Sequence, residues 1–150
     1  MSHSYTNLLF HLVFSTKYRQ PLIQTAWQPQ LHQYLGGIVQ SLDGTPLEIG
    51  GIADHVHLLI SIHQKHCLMN VLRDLKANSS KWVNESAFLE TRFEWQRGYG
   101  AFSVSQSQIG KVQRYIQKQE AHHQRHSYSD EFLALLNAHQ ISYDERFVFD

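Results

Sequence analysis

The stretch Asp54-His55-Val56-His57-Leu58-Leu59-Ile60-Ser61-Ile62 constrains this chain more than any other. Read as a strand, it turns Val56, Leu58, Ile60 and Ile62 to one face and His55 and His57 to the other, because successive side chains alternate. The apolar face has to be covered by helices. The other face carries two imidazoles whose Cα atoms lie roughly 6.5–7 Å apart, near enough to reach one divalent ion. The same alternation opens the chain, where Leu8, Phe10, Leu12 and Phe14 are apolar and Asn7, His11 and Ser15 fall between them.

The pattern supplies the helices as well. Trp27 to Leu42 is a predicted helix with Leu31, Tyr34, Leu35 and Ile38 at helical spacing, and with Pro29 in its first turn, where proline is tolerated. Asp43-Gly44 marks a turn, Leu47 to Ala53 reads as a strand, and Asp54 separates it from His55 to Ile62 to make a hairpin. Met69 to Ser86 reads as a second helix with Leu72, Leu75, Ser79, Trp82 and Val83 on one side. Gly98 and Gly100 precede a short fourth strand, Ala101 to Val104. Ser105 and Gln108 fit a capping box for a helix from Gln106 to about His123. A last helix, Asp130 to Ala138, carries Phe132, Leu135 and Leu136. The order β-α-β-β-α-β is that of an α+β ferredoxin-like split βαβ fold: one domain over residues 1–150, with additional C-terminal helices. Two helices cover one face of the antiparallel sheet, and the histidine face is left for a cover or a function. The fold alone selects no activity.

At 150 residues, 42% apolar and 17% charged, the chain has the composition of a folded domain. Thirteen basic residues balance thirteen acidic ones, so net charge neither supports nor excludes nucleic-acid binding. Cys67 is the only cysteine, which excludes an internal disulfide and a thiolate metal cluster. No apolar run reaches the length of a membrane span and no signal peptide pattern opens the chain, so a cytoplasmic protein is expected. Eleven histidines point to metal or phosphate chemistry.

The histidine pair alone does not choose between a metal site and two polar residues on a half-exposed strand; a third ligand is needed. On the helix from Gln106, Gln108, Lys111, Tyr115, Gln119 and His122 share one stripe, beside Ile109, Val112 and Ile116, which face the body. On an arbitrary helix that stripe is a solvated face with a tyrosine at its edge, and composition does not single out Tyr115 among seven tyrosines.

Taken in order, His55-Val56-His57 on a strand and Tyr115-Ile116-Gln117-Lys118-Gln119 on a later helix resemble the HUH-type single-tyrosine transposases of small insertion sequences, including the repeat-associated ones. The resemblance covers nearly the whole chain. His11-Leu12-Val13-Phe14-Ser15-Thr16-Lys17-Tyr18-Arg19 looks like that family's first strand, and the segment from Trp95 to Ser105 looks like its approach to the tyrosine helix. The resemblance implies Tyr115 as nucleophile and a divalent ion, Mg2+ or Mn2+, on His55, His57 and Gln119. It also implies a homodimer and single-stranded DNA with a hairpin as partner. His122, His123 and His126 lean toward the repeat-associated branch or its close insertion-sequence cousins.

A tyrosine hydroxyl with an ordinary pKa near 10 is a poor nucleophile at neutral pH. An ion on a neutral N,N,O donor set would keep its full charge for the scissile phosphate. Attack by Tyr115 would give a 5′-phosphotyrosine and a free 3′-hydroxyl, and the retained bond energy would allow rejoining without ATP. No G-x-x-x-x-G-K-[ST] loop is present, so no nucleotide cofactor is expected. Gly98 and Gly100 would act as a hinge before the tyrosine helix, which in such families can pack on the partner subunit. Lys17, Arg19, Arg73, Lys76, Lys81, Lys111 and Lys118 are the candidates for DNA contact. Three alternatives compete. One is another HUH nuclease of relaxase or replication-initiator type, which the shortness of the chain argues against. The second is a hairpin-binding protein that does not cleave. The third is a ferredoxin-like metal or metabolite module, which would place Tyr115 far from the histidine face.

Overall fold

The computed structural model describes residues 3–150. Its strands are β1 (Leu8–Ser15), β2 (Thr45–Ile52), β3 (His55–Ile62) and β4 (Gly100–Ser103). They form one sheet in the order β2-β3-β1-β4, every neighbouring pair antiparallel. In β1 and β3, Leu8 stands opposite Ile62, Val13 opposite His57 and Ser15 opposite His55. This is the α+β split βαβ arrangement that the alternation predicts. β2 begins two residues earlier than expected and shifts register between Pro46 and Glu48, where proline cannot donate to a ladder.

Helices α1 (Gln28–Ser41) and α2 (Leu68–Glu85) cover one face. Pro29 sits in the first turn of α1, where no backbone donor is lost. Leu12, Phe14, Val56, Leu58 and Ile60 of the sheet pack with Leu31 and Leu35 of α1 and Leu72, Leu75 and Val83 of α2. Full burial of each such side chain contributes about 1.5–3 kcal/mol. Ser79, a polar residue on the apolar stripe of α2, receives the Trp95 indole N–H at 2.9 Å and bonds back to the Leu75 carbonyl at 2.5 Å.

The opposite face is covered by α3 (Ile109–Gln117), α4 (Gln119–His122) and α5 (Tyr128–Ala138). Val13 and Phe102 pack there against Tyr128, Phe132 and Leu136 of α5. This part of the chain departs from expectation. The single helix predicted from Gln106 to His123 is broken: Gln106–Gln108 form a 3-10 turn, and Lys118, at φ −96° and ψ 16°, separates α3 from α4. The capping box does not form, because the Ser105 hydroxyl turns to Ser107 at 3.2 Å and caps no backbone donor. α5 starts two residues early because Ser127 accepts the Asp130 backbone N–H at 3.1 Å, an N-cap that the sequence reading passed over. Gly98 and Gly100 are both tied into the fold: the Gly98 N–H donates to the Asp150 carbonyl at 2.8 Å, and Gly100 pairs with Val13 in the sheet. No described helix is long and apolar enough to cross a membrane.

Candidate active site

Alternation on β3 places His55 and His57 on the face away from α1 and α2, but that face is roofed, and both rings are fully buried. The roof is possible because of Gly50, which stands opposite His57 on β2. A Cβ at Gly50 would lie 2.8 Å from both the Ile116 Cγ2 and the Ile116 carbonyl oxygen, so only glycine lets α3 lie directly on the sheet. Ile116 is buried in that contact, and Tyr115 beside it is half-buried. Its ring centre lies 5.6 Å from that of His57 and 6.0 Å from that of His11. Tyr115 and the histidines therefore meet within one chain, and the module with a remote Tyr115 is excluded.

Gln119 arrives one turn later. Its side-chain oxygen lies 2.9 Å from His55 Nε2 and 2.9 Å from His123 Nε2, and its amide nitrogen donates to Glu131 Oε2 at 2.9 Å. Glu131, delivered by α5, is the centre of the cluster. Its Oε1 lies 2.9 Å from His57 Nε2, 3.1 Å from His123 Nε2 and 3.2 Å from His55 Nε2. Its Oε2 accepts the Tyr115 hydroxyl. His122 Nε2 lies 3.5 Å from the same carboxylate, too far for a hydrogen bond, and is buried without a partner. His55, His57, His123 and Glu131 offer donor atoms that all fall within 4.8 Å of one another, a set able to hold a metal ion. A carboxylate thus stands beside the neutral N,N,O set expected from sequence.

Electrostatics follow from the packing. Burial opposes the charge on Glu131, yet hydrogen bonds from His123, His55 and His57 hold it well below the usual carboxylate range. Burial opposes protonation of His55 too, but its contacts with Asp54 and Glu131 outweigh this and raise it to about 9. For His57 burial wins and lowers it to about 4. His11, whose Nε2 lies 2.8 Å from His57 Nδ1, is lowered to about 3 by burial and by its neighbour. Burial, the charge of Glu131 and the hydrogen bond to it push the Tyr115 phenol above its ordinary value.

Sequence reasoning missed three of these residues. Glu131 had a readable signal: it lies three residues after Tyr128 and one before Phe132, on the buried side of α5, where a carboxylate needs a reason. His11 was visible as the polar position of β1 that shares a face with His57. His123 had no signal beyond its place four residues after Gln119.

The basic candidates are scattered. Lys111 lines a cleft of about 560 Å³ together with His11, Phe102, Gln108, Tyr115 and His139. Lys118 is exposed at the α3–α4 break. Lys17 pairs with Glu94 at 3.3 Å, and the Arg19 guanidinium sits 4.7 Å from the centre of the Phe149 ring. Arg73 and Lys81, on α2, lie 3.4 Å from Asp74 and 3.9 Å from Glu85. Lys76 is committed elsewhere: its ammonium donates to the carbonyls of Arg97 and Gly98 at 2.9 and 2.8 Å, and burial lowers it to about 8.

Residues 4–119 match the family model described as "Transposase IS200 like". The transposase for insertion sequence element IS200 of Salmonella typhimurium is 30% identical over 129 residues, covering 79% of this chain and 81% of that protein, and its Salmonella typhi counterpart matches equally. Among solved structures, a transposase candidate from Deinococcus radiodurans superposes with a TM-score of 0.64 at 23% identity, over 79% of this chain and 96% of that one. A REP-associated tyrosine transposase bound to a REP hairpin gives 0.61 at 11% identity, over 82% and 73%. Both structures share the fold described above. The chain thus belongs to the IS200-like transposases, the HUH-type single-tyrosine class that His55, His57 and Tyr115 indicated.

Proposed function

We propose that this transposase cleaves and rejoins single-stranded DNA through a 5′-phosphotyrosine on Tyr115, at a divalent metal centre that includes His55, His57 and Gln119. The single observation that carries the reading is the convergence of Tyr115 with the histidine pair and Gln119 in one buried cluster beside an open cleft. The donor set suits a divalent ion, Mg2+ or Mn2+, which when bound supplies positive charge against the scissile phosphate.

The chain's own residues do the rest. Glu131 fixes the Tyr115 hydroxyl by accepting its hydrogen bond. Tyr115 Oη bonds to phosphorus, the bond from phosphorus to the 3′ oxygen breaks, and that oxygen leaves as a 3′-hydroxyl. A different 3′-hydroxyl reverses the step and joins new ends. The cleft beside Tyr115 gives the strand a path, with Lys111 facing its phosphates and Phe102 in its wall. Lys17, Arg19, Arg73, Lys81 and Lys118 are outer contacts. A hairpin is the DNA element proposed for recognition, in line with the hairpin held by the REP-associated relative. A homodimer is proposed as well, with each active site contained in its own chain.

A labelled single-stranded oligonucleotide carrying the element's end hairpin, incubated with Mn2+ or Mg2+ and run on a denaturing gel, tests this. Wild type should give a covalent protein–DNA adduct and Tyr115→Phe none. Tight binding without an adduct in wild type would replace the reading by a hairpin-binding protein that does not cleave.

A further inference from the structure

We propose that His123 and Glu131 are metal ligands in their own right. They would make the centre a nitrogen-rich His55–His57–His123–Glu131 site that selects transition ions such as Mn2+ and Co2+ over Mg2+. The proposal rests on reading the histidine cluster as the transposase's metal centre, and it deepens that reading by naming two more ligands and the class of ion.

The geometry of the donor atoms carries the argument: those of His55, His57, His123 and Glu131 fall within 4.8 Å of one another. His55 Nδ1 lies 2.7 Å from Asp54 Oδ1, and His123 Nδ1 lies 2.7 Å from the His126 carbonyl oxygen. An oxygen acceptor at Nδ1 keeps a proton there, so an ion that displaces the Nε2 proton meets a lone pair turned inward from each ring. Those lone pairs face Gln119 Oε1 and Glu131 Oε1, which are acceptors themselves. The Gln119 amide is not free to flip, because its nitrogen is engaged by Glu131 Oε2. The third ring follows the same logic. His11 and His57 share one proton across 2.8 Å, and with it on His57 Nδ1 the His57 Nε2 also turns inward, 2.9 Å from Glu131 Oε1. Lone pairs from three imidazoles, a carboxylate and an amide then point at one small volume. A single divalent cation satisfies all of them.

Each ring also has an orienting partner on its outer nitrogen, a carboxylate, a backbone carbonyl and a second imidazole, which is how metal-bound histidines are normally held. The spacing fits: at metal–ligand distances of about 2.1 Å, adjacent ligands of an octahedron stand about 3 Å apart. The observed neighbours lie 2.9–3.2 Å apart. Mg2+ prefers an all-oxygen shell with several waters, whereas imidazole-rich sites favour first-row transition ions. His123 and Glu131 lie beyond residue 119, where the family match ends, so this chain's C-terminal helices add the donors that set the preference.

The test is metal binding by the full chain without DNA, by isothermal titration with MnCl2, CoCl2 and MgCl2. Wild type should bind Mn2+ at least tenfold more tightly than Mg2+, and Co2+ more tightly than Mn2+. Glu131→Gln and His123→Gln should each weaken Mn2+ tenfold or more. Equal affinity for Mn2+ and Mg2+, or Mn2+ affinity unchanged in both variants, overturns the proposal. Should a variant fail to fold, pulsed EPR of Mn2+-loaded wild type decides: nitrogen couplings from three imidazoles support the site, and from two overturn it. Adduct formation in the Tyr115→Phe gel assay is scored separately. An adduct with Mn2+ unaffected by the variants sinks the ligand assignment and leaves the transposase reading standing. No metal bound by wild type sinks both metal assignments.

Discussion

The two faces of the sheet use the same strands for opposite purposes. Toward α1 and α2, Leu12, Phe14, Val56, Leu58 and Ile60 bury apolar surface and nothing else. Toward α3, α4 and α5, the intervening positions His11, His55 and His57 bury polar groups, each of which needs a partner supplied from far along the chain. One face is stable through bulk transfer from water; the other also buries polar groups, each of which costs stability unless it is paired. Stability should therefore reside mainly on the first face and chemistry on the second, and substitutions can separate them.

The largest effect expected is Tyr115→Phe. Removing the proposed nucleophile should lower adduct formation by on the order of 10³-fold or more. The ring is retained and Glu131 Oε2 keeps the Gln119 amide, so the loss in urea unfolding should stay within about 1–2 kcal/mol. Leu58→Ala is the counterpart on the other side of the same strand. Leu58 is completely buried, and truncation should cost about 2–5 kcal/mol in urea unfolding while leaving adduct formation per folded molecule near wild type. If Tyr115→Phe instead unfolds the protein, or Leu58→Ala abolishes chemistry in the folded fraction, the division between the faces fails.

That division also explains what the sequence disclosed. The apolar face was legible because alternation and helical spacing report burial directly: Leu12 and Leu58, or Leu72 and Leu75, needed no knowledge of their partners. The histidine pair and Tyr115 were legible as an ordered set. Glu131 was legible only as a carboxylate on the buried side of α5; its partners are imidazoles 74 to 76 residues upstream and His123 eight residues before it, and no local pattern names a long-range match. The break at Lys118 was missed for a related reason: Gln119 and His123 must turn onto the sheet to reach His55, and tertiary contacts override a continuous helical periodicity.

A paired glycine experiment sharpens the contrast. Gly50→Ala places a methyl group 2.8 Å from Ile116 atoms, lifting the helix that holds Tyr115. It should destabilise by about 1–3 kcal/mol and slow adduct formation as well. Gly37→Ala, in α1, meets nothing within 4 Å and should stabilise by about 0.5–1 kcal/mol through helix propensity alone. The same substitution should thus change sign between the two faces, read as the shift in urea midpoint.

Smaller again is the pH response in chelator. His55, raised to about 9, stays protonated in the folded state between pH 6.5 and 9, where the unfolded chain has lost that proton. Its contribution is complete below pH 6.5 and disappears as pH rises through 9. His57 and His11, lowered to about 4 and about 3, stay neutral when folded, while the unfolded chain takes up protons below pH 6.5. Stability should fall on that side as well, giving a maximum near pH 6–7 in thermal melts. Mn2+ should flatten the alkaline side, because an ion at His55 replaces the proton. A monotonic rise from pH 5 to pH 9 in chelator would contradict the buried His55–Glu131 pairing.

The smallest effect tests where the polar face ends. Lys17 is about half exposed and pairs with an equally exposed Glu94, an arrangement that adds little to stability. If the DNA strand runs past the end of β1, Lys17→Ala should weaken oligonucleotide binding a few-fold and lower the slope of log affinity against log salt by about 1. Lys76→Met should do the reverse, leaving the salt slope unchanged and lowering the urea midpoint, because its ammonium is spent on the Arg97 and Gly98 carbonyls. Should Lys111→Ala lower the slope while Lys17→Ala does not, the strand keeps to the cleft beside Tyr115, and the polar face alone holds the DNA.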